Sequence, residues 1–190
     1  VVMHGSFDYH HLGPIALGAM TRVEGERPDT VFRFVGRRTP ALDRLLAGLA
    51  ARGSRLRVEC EGFVPYRDVA ARLAGATVGI VPYEESTGVH CAFVAKAVEY
   101  LGLGLPQVCT RLEGLRRYFG DEPAIRFTDF DGAAFGTAIL DWLQVPRAQR
   151  VAWGRAASAR VRRELDWPML ARRAADFVEA VAARGEIARP

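Results

Sequence analysis

Short, continuous apolar runs that alternate with longer helical stretches are the feature that most limits how this chain can fold. Continuous runs rich in β-branched residues, such as the segment 77–81, are typical of strands buried on both faces. Strands that alternate with helices of about ten to fifteen residues favour βαβ units, in which helices cover both faces of a parallel sheet. The sequence therefore predicts one α/β domain with a doubly wound parallel sheet.

The same patterns place the individual elements along the chain. Strands are predicted at residues 1–6, 31–35, 56–60, 77–81, 107–110 and 124–127, and helices at 12–23, 41–51, 66–74, 93–101, 130–143 and 148–163. A last helix is predicted to follow Asp166, so that residues 146–190 form closing C-terminal helices. Its apolar residues recur at spacings of three and four, which predicts a face packed into the core. They are Trp167, Leu170, Ala174, Phe177 and Val181.

The composition excludes several other classes of protein. The chain has 190 residues, 49% hydrophobic and 25% charged, and its apolar stretches are too short for a membrane-spanning helix. Cys60, Cys91 and Cys109 form neither a CxxC pair nor a disulfide framework, which favours a reducing, cytoplasmic compartment. The formal net charge of +4 comes with 25 arginines and one lysine, and no nucleic-acid-binding motif accompanies it. The arginines after residue 146 indicate a solvated helix face, while contact with an anionic membrane stays open.

The beginning of the chain also carries an expectation. It starts at Val1, inside a predicted strand, and shows no pattern of a signal peptide. We therefore expect residues 1–190 to be a single domain cut from a longer protein at a domain boundary.

Common catalytic and phosphate-binding motifs are absent from the sequence. It contains no GxGxxG, GxxxxGK[ST], HExxH or GxSxG pattern. His4, His10 and His11 have poor spacing for a metal site, so no metal is expected, and we expect these histidines in loops or at helix starts. Because ligands of such sheets bind at the carboxyl ends of the strands, the loops after the strands are where a site is expected.

The segment 77–110 carries the strongest candidate site. It predicts a buried strand, a polar loop, a helix and a further strand, and its helix contains Lys96, the single lysine of the chain, with Glu99 three residues later. A phosphate at this helix start would meet free backbone N–H groups and the Lys96 ammonium, and Glu99 would accept hydrogen bonds from ribose hydroxyls. The alternative is a Lys96–Glu99 pair on the surface, which contributes only a few tenths of a kcal/mol. The placement after the fourth strand favours the site.

The same segment resembles a known family of enzymes. The pattern VPY…KxxEYLxxGLPxV is similar to the carboxy-terminal, nucleotide-sugar-binding domain of GT-B glycosyltransferases, above all bacterial exopolysaccharide and capsule enzymes such as glucuronosyltransferases of the GumK type. Further landmarks follow in the family's order: GSFD at 5–8, the strand at 31–36, EGFVPY at 61–66 and LDW at 165–167. The resemblance covers nearly the whole chain and implies a Rossmann-like half of a GT-B fold.

The resemblance implies roles for particular residues. Lys96 would contact the donor diphosphate and Glu99 the ribose, and the glycosyl donor, with a UDP-sugar favoured, would be bound without a metal or other cofactor. The remaining candidates are Gly5 and Ser6 at the phosphates, Gly62, Phe63 and Val64 at the nucleobase, Tyr83, Thr87 and Gly88 near the sugar or phosphates, and Arg37 or Arg38 as further positive charge. The implied partners are an N-terminal acceptor-binding domain and a carbohydrate or lipid-linked acceptor, with peripheral contact at the inner face of the membrane as a further option.

One departure from the family pattern bears on the reaction. Retaining GT-B enzymes commonly carry Glu-x7-Glu, but the position eight residues before Glu99 is Cys91, and Glu84 and Glu85 have the wrong spacing. This favours an inverting enzyme, whose general base would come from the other domain, so no catalytic residue is assigned in this chain. Two alternatives stay open: a sugar-nucleotide epimerase of the same architecture, and an α/β binding module without enzymatic activity.

Overall fold

The computed structural model describes residues 1–8 and 10–183, and it arranges them as a parallel sheet with helices on both faces. The strands of the described residues are β1 (Val2–His4), β2 (Val31–Val35), β3 (Arg57–Cys60), β4 (Gly79–Val81), β5 (Gln107–Thr110) and β6 (Ile125–Thr128). The helices are α1 (Pro14–Glu26), α2 (Pro40–Ala51), α3 (Tyr66–Leu73), α4 (Thr87–His90), α5 (Ala95–Gly102), α6 (Glu113–Phe119), α7 (Gly132–Gln144), α8 (Arg147–Glu164) and α9 (Trp167–Ala183).

The order of the strands confirms the predicted fold class. It is β3-β2-β1-β4-β5-β6, and all neighbouring strands run parallel. The winding direction reverses between β1 and β4, so the loops that follow these two strands lead away from each other. Such a reversal leaves a crevice at the carboxyl edge of the sheet, where ligands of doubly wound folds bind.

The two faces of the sheet are covered by separate apolar layers. Helices α1, α2 and α7 cover one face with residues such as Met20, Leu45 and Trp142. Helices α5, α6 and α8 cover the other, where Tyr100 and Phe119 are fully buried. Strands β1, β4 and β5 carry apolar residues on both faces, which is why their sequence runs are continuous instead of alternating.

The element boundaries differ from the predicted ones at a few places. Strand β1 ends at His4, two residues earlier than predicted, because Gly5 has a φ of +97° that breaks the extended backbone. The predicted polar loop after β4 contains the short helix α4, whose first turn is capped by the Ser86 hydroxyl accepting from the Val89 N–H at 3.2 Å. Helix α6 was also not predicted. The predicted helix at 148–163 is confirmed as α8.

Helix α8 is fixed to the sheet layer through a contact between two glycines. A Cβ placed on Gly154 of α8 would lie 2.1 Å from the carbonyl oxygen of Gly104, in the turn between α5 and β5. Because the backbones of Gly154 and Gly104 are in direct contact, neither can shift easily to relieve such an overlap. The Ser158 hydroxyl donates to the Gly102 carbonyl at 2.7 Å, which adds a hydrogen bond to the same contact.

We expect Gly154→Ala to lower the free energy of unfolding by about 1–3 kcal/mol, the usual cost of overpacking. In an exposed helix the same change adds up to about 1 kcal/mol of stability, because glycine is a poor helix former. Gly25→Ala is the matched control, since Gly25 lies in α1 and a Cβ there has no heavy atom within 4 Å. Urea unfolding of both variants checks the prediction, and equal stabilisation of the two would contradict it.

The last helix contradicts the prediction that its apolar stripe belongs to the core. Helix α9 contains no buried residue, and Trp167 and Phe177 are 80% and 69% exposed. The spacing of its apolar residues correctly predicts a one-sided helix, but the described chain leaves most of that side exposed, with only Leu170 and Val181 half-buried. None of the helices within the described residues is both long and apolar enough to cross a membrane. Residues 184–190, the end of the predicted C-terminal segment, lie outside the described residues.

Candidate functional site

A cavity of about 710 Å³ opens at the carboxyl ends of β1 and β2, next to the first turn of α5. This volume is in the range of small-molecule binding sites. The wall is formed by the loops after three strands and by the starts of α3 and α5. The lining residues are His4, Gly5, Ser6, Phe7, Asp8, Val35, Gly36, Arg37, Thr39, Phe63, Val64, Tyr66, Val69, Ala95, Lys96 and Glu99.

The floor of the cavity is a close crossing of two loops. A Cβ on Gly36 would lie 2.2 Å from the carbonyl oxygen of Gly5, so no other residue fits at position 36 without moving the loop after β1. That loop is tied down at two points. The Gly5 N–H donates to the Val35 carbonyl at 2.9 Å, and the Thr39 hydroxyl donates to the Phe7 carbonyl.

Lys96 is a buried cation at this floor. Its residue is only 7% exposed, and its Nζ has no hydrogen-bond partner among the described residues. Nζ lies 5.2 Å from the centre of the Tyr83 ring and 4.0 Å from where a Cβ of Gly5 would be. Burial lowers the Lys96 pKa to about 8, although the Asp8 and Glu99 carboxylates oppose this. The alternative of an exposed Lys96–Glu99 pair is therefore excluded, and Lys96 offers a positive charge to an anion beside Gly5.

Glu99 is a carboxylate held by the His4 ring. The His4 Nε2 lies 2.6 Å from Glu99 Oε2, and the Tyr66 hydroxyl is a further polar group near this carboxylate. These contacts, led by the His4 hydrogen bond, lower the Glu99 pKa, so that the group is ionised at neutral pH. Each carboxylate oxygen accepts more than one hydrogen bond, and Glu99 lines the cavity. It can therefore accept hydrogen bonds from ligand hydroxyls.

The outer wall carries an exposed aromatic ring next to a cation. Phe63 is 67% exposed, and the Arg37 guanidinium carbon lies 5.1 Å from the centre of its ring. Together with Val64 they offer a flat apolar surface and a positive charge, which suits a planar heterocycle. The neighbouring Arg38 does not contribute, because it pairs with Asp43 at 2.6 Å on the exposed start of α2.

A second cluster lies beside Lys96. His11 Nδ1 is 3.0 Å from Asp8 Oδ1, and the His11 ring contacts the Tyr83 ring at 4.3 Å between centroids. Burial, followed by the charge of Lys96, lowers the His11 pKa to about 4. His11 is consequently neutral at pH 7, and Asp8 is the group of this cluster that brings a negative charge to the cavity.

Seven of the eleven residues predicted for the site line the cavity: Gly5, Ser6, Arg37, Phe63, Val64, Lys96 and Glu99. The other four do not line it. Gly62 precedes Phe63 in the turn after β3, Tyr83 is buried beneath Lys96, and Thr87 and Gly88 form α4. The roles given to these four stay predictions.

Sequence reasoning missed His4 and Tyr66. The expectation that His4 is a loop or helix-start residue is wrong: it ends β1, and it is buried. Its position directly before Gly5, at the carboxyl end of a central strand, was the signal that could have identified it. Tyr66 begins α3 and reaches Glu99 across a separation that local patterns do not reveal.

The structure also shows where Cys91 lies, the residue at the position of the first glutamate in the Glu-x7-Glu pattern. Cys91 directly follows the short helix α4 and is exposed. Glu84 is not a substitute, because its Oε1 accepts from the Ile15 N–H at 2.8 Å and thereby caps the start of α1. Burial raises the Glu84 pKa, although this hydrogen bond opposes the change.

Comparison with solved structures finds similar folds in several proteins. The chain resembles Alr3699/HepE of Anabaena, solved in complex with UDP, with a TM-score of 0.76 and 16% identity over 94% of this chain and 48% of that one. It resembles sucrose-phosphate synthase (tll1590) of Thermosynechococcus elongatus with a TM-score of 0.77 and 22% identity over 96% and 45%. It resembles a glycosyltransferase of Rickettsia africae with a TM-score of 0.79 and 13% identity over 95% and 47%.

These comparisons support the fold and give the size of the related proteins. The chain spans about half the length of each of these three structures. No curated protein sequence matches it. A family model described as "Glycosyl transferases group 1" matches residues 1–145, which include all six strands and every lining residue of the cavity. The chain thus belongs to the group 1 glycosyltransferase family, with the α/β fold of GT-B enzymes.

Proposed function

We propose that this chain is the donor-binding domain of a glycosyltransferase and that its cavity binds a nucleoside diphosphate sugar, with UDP-sugar as the leading donor. The observation that carries the proposal is the buried Lys96 ammonium, which has no hydrogen-bond partner among the described residues, one helical turn from the Glu99 carboxylate. One ligand that needs a cation and a hydroxyl acceptor so close together is a nucleoside diphosphate.

Each part of the donor meets chemistry that suits it. The diphosphate lies against Gly5, Ser6 and Lys96, where the ammonium supplies a positive charge and Gly5, which has no side chain, leaves room beside it. The ribose hydroxyls donate to Glu99, and the nucleobase packs on the wall formed by Phe63 and Arg37. The Anabaena structures, described as complexes with UDP and with UDP and glucose, support uridine as the nucleoside.

The transfer step follows from this placement. The acceptor oxygen attacks the anomeric carbon of the sugar, the bond from that carbon to the diphosphate oxygen breaks, and the diphosphate leaves with the negative charge. The Lys96 ammonium stabilises this charge, so we propose a reaction that needs no metal ion. The acceptor's proton passes to a base outside this chain, in an inverting hexosyl or glucuronosyl transfer to a polysaccharide or lipid-linked acceptor, in the manner of bacterial exopolysaccharide synthesis.

The partner of this domain is an acceptor-binding domain N-terminal to it in a longer cytoplasmic protein. The exposed apolar side of α9, with Trp167 and Phe177, supports a further packing surface. Exposed arginines of α8, including Arg155 and Arg162, border a shallow groove with Leu103 and Val151. These charges suit peripheral contact with the anionic inner face of the membrane.

Calorimetric titration of the chain with UDP tests the donor site, with GDP and ADP as controls. We expect binding that weakens by about ten- to a hundredfold in Lys96→Met, because a charge-assisted contact contributes about 1.5–3 kcal/mol. Arg147→Met is the matched control, since it removes one exposed positive charge outside the cavity. Tighter binding of GDP or ADP than of UDP would mean that the donor carries that nucleotide instead of UDP. Absence of binding to all three diphosphates by the folded chain would contradict the donor site.

A further inference from the structure

Lys96 and Glu99 are opposite charges that stand three residues apart on one helix and yet do not pair. Residues at this spacing are neighbours on a helix surface and attract each other when their charges are opposite. In this chain Glu99 Oε2 instead lies 2.6 Å from His4 Nε2, and Lys96 Nζ has no hydrogen-bond partner among the described residues. Something keeps the carboxylate out of pairing distance of the ammonium.

His4 is fixed in place by its strand and by Tyr100. It ends the central strand β1, and its backbone N–H is 3.1 Å from the Tyr100 hydroxyl oxygen. Its ring meets the Tyr100 ring edge-on, with centroids 5.0 Å apart and planes at 72°. Tyr100 is fully buried and directly follows Glu99 in α5. The His4 ring is therefore a rigid donor, and it determines where the Glu99 carboxylate lies.

We propose that His4 is a positioning residue that keeps the Glu99 carboxylate away from the Lys96 ammonium. Each charge then remains available to a different part of the ligand, the ammonium to the diphosphate and the carboxylate to the ribose. This assignment of the two charges to parts of the ligand rests on the proposed donor site. The separation itself is a property of the chain without ligand and can be tested on its own.

The other groups around Lys96 do not take over the role of Glu99. Burial raises the pKa of Cys109 and of Tyr83, and it lowers the pKa of His11 to about 4, so all three are neutral at pH 7. Asp8 is the remaining anion, but about half of its side chain is exposed and it lies beside His11. Without the His4 donor, Glu99 is the partly buried anion free to turn toward Lys96, where the low dielectric strengthens the attraction.

The single lysine of the chain makes the first test direct. Labelling lysine with ¹³C at Cε yields one resonance, whose titration reports the Lys96 pKa. We expect a midpoint of about 8 in the unaltered chain and a rise of about one pH unit or more in His4→Leu, because the carboxylate approaches the ammonium. His4→Gln should keep the low midpoint, since its amide N–H can donate to Glu99. In the double variant His4→Leu, Glu99→Gln the rise should disappear.

Two results would overturn the proposal: an unchanged midpoint in His4→Leu, or a rise that persists in the double variant. A structural role of His4 alone does not predict rescue by removing the Glu99 charge. Amide spectra verify the fold of each variant. If His4→Leu does not fold, His4→Phe replaces it, because a phenyl ring keeps the contact with Tyr100 and lacks the donor.

Titration with inorganic pyrophosphate separates this inference from the donor site. Pyrophosphate has no ribose, so we expect His4→Leu to bind it about tenfold more weakly and the double variant to bind it as Glu99→Gln does. If the ¹³C pattern holds but the unaltered chain binds no pyrophosphate, the donor site is wrong and the role of His4 stands. If pyrophosphate binds but its affinity is the same in His4→Leu, the role of His4 is wrong and the donor site stands.

Discussion

Replacing Gly36 by valine should abolish nucleotide binding, with a loss of affinity of about a hundredfold or more. A Cβ at this position would lie 2.2 Å from the Gly5 carbonyl oxygen and 2.8 Å from the Phe7 ring. Neither can retreat easily, because the loop after β1 is hydrogen bonded to Val35 and Thr39. The loop must leave the floor of the cavity, and Gly5 and Lys96 lose their common position.

Calorimetry with UDP and urea unfolding measure the two consequences of this substitution. Overpacking should also lower the free energy of unfolding by about 1–3 kcal/mol. Gly25→Val is the control, because the same side chain enters open space on α1. A Gly36→Val protein that binds UDP as the unaltered chain does would show that the crossing of the two loops is unimportant for the site.

The affinity for UDP should fall with rising pH above about 8. Burial lowers the Lys96 pKa to about 8, and a bound diphosphate favours the protonated amine. Below this pH the ammonium is already formed and affinity is insensitive to the titration of Lys96. Above it, binding must take up a proton, and the affinity falls by up to about tenfold per pH unit.

Titrations between pH 7 and 10 measure this dependence, in a range above the last phosphate ionisation near pH 6. Calorimetry at pH 8 in two buffers of different ionisation enthalpy should show uptake of about half a proton per nucleotide. Lys96→Met removes the titrating group, so its weaker binding should lack the dependence. The same dependence in Lys96→Met would assign it to another group.

The stability of the chain should respond to pH in the opposite direction. In the unfolded chain Lys96 has its ordinary pKa of 10.5, so between about pH 8 and 10.5 the unfolded state binds more protons than the folded state. The contribution of Lys96 to the free energy of unfolding therefore rises with pH across this window, where affinity for the nucleotide falls. Below about pH 8, burial of the charged Lys96 side chain lowers the free energy of unfolding of the chain without ligand.

The fold could be predicted because its signal is local. Continuous apolar runs and the helices between them are visible in windows of a few residues, and they were sufficient for the parallel sheet and its two covering layers. The predicted ends were less accurate, since they depend on single features such as the positive φ of Gly5 or the Ser86 cap.

The site could be predicted only in part, for a related reason. Lys96 and Glu99 stand out through type and spacing within one helix. The contacts that determine their state come from far away in the chain: His4 is 95 residues from Glu99, and Tyr66 lies on another helix. Periodicity likewise predicted a one-sided last helix, but it cannot say which surface covers that side.

The exposed last helix links the folding of this segment to its surroundings. An isolated helix of about 17 residues is only marginally stable in water, and packing normally supplies the remainder of its stability. Helix α9 buries none of its residues, so it receives little of that support from the domain. Whatever surface covers Trp167 and Phe177 would therefore stabilise the helix as it binds. The environment of Trp167 would change with it, so that its fluorescence would report this contact.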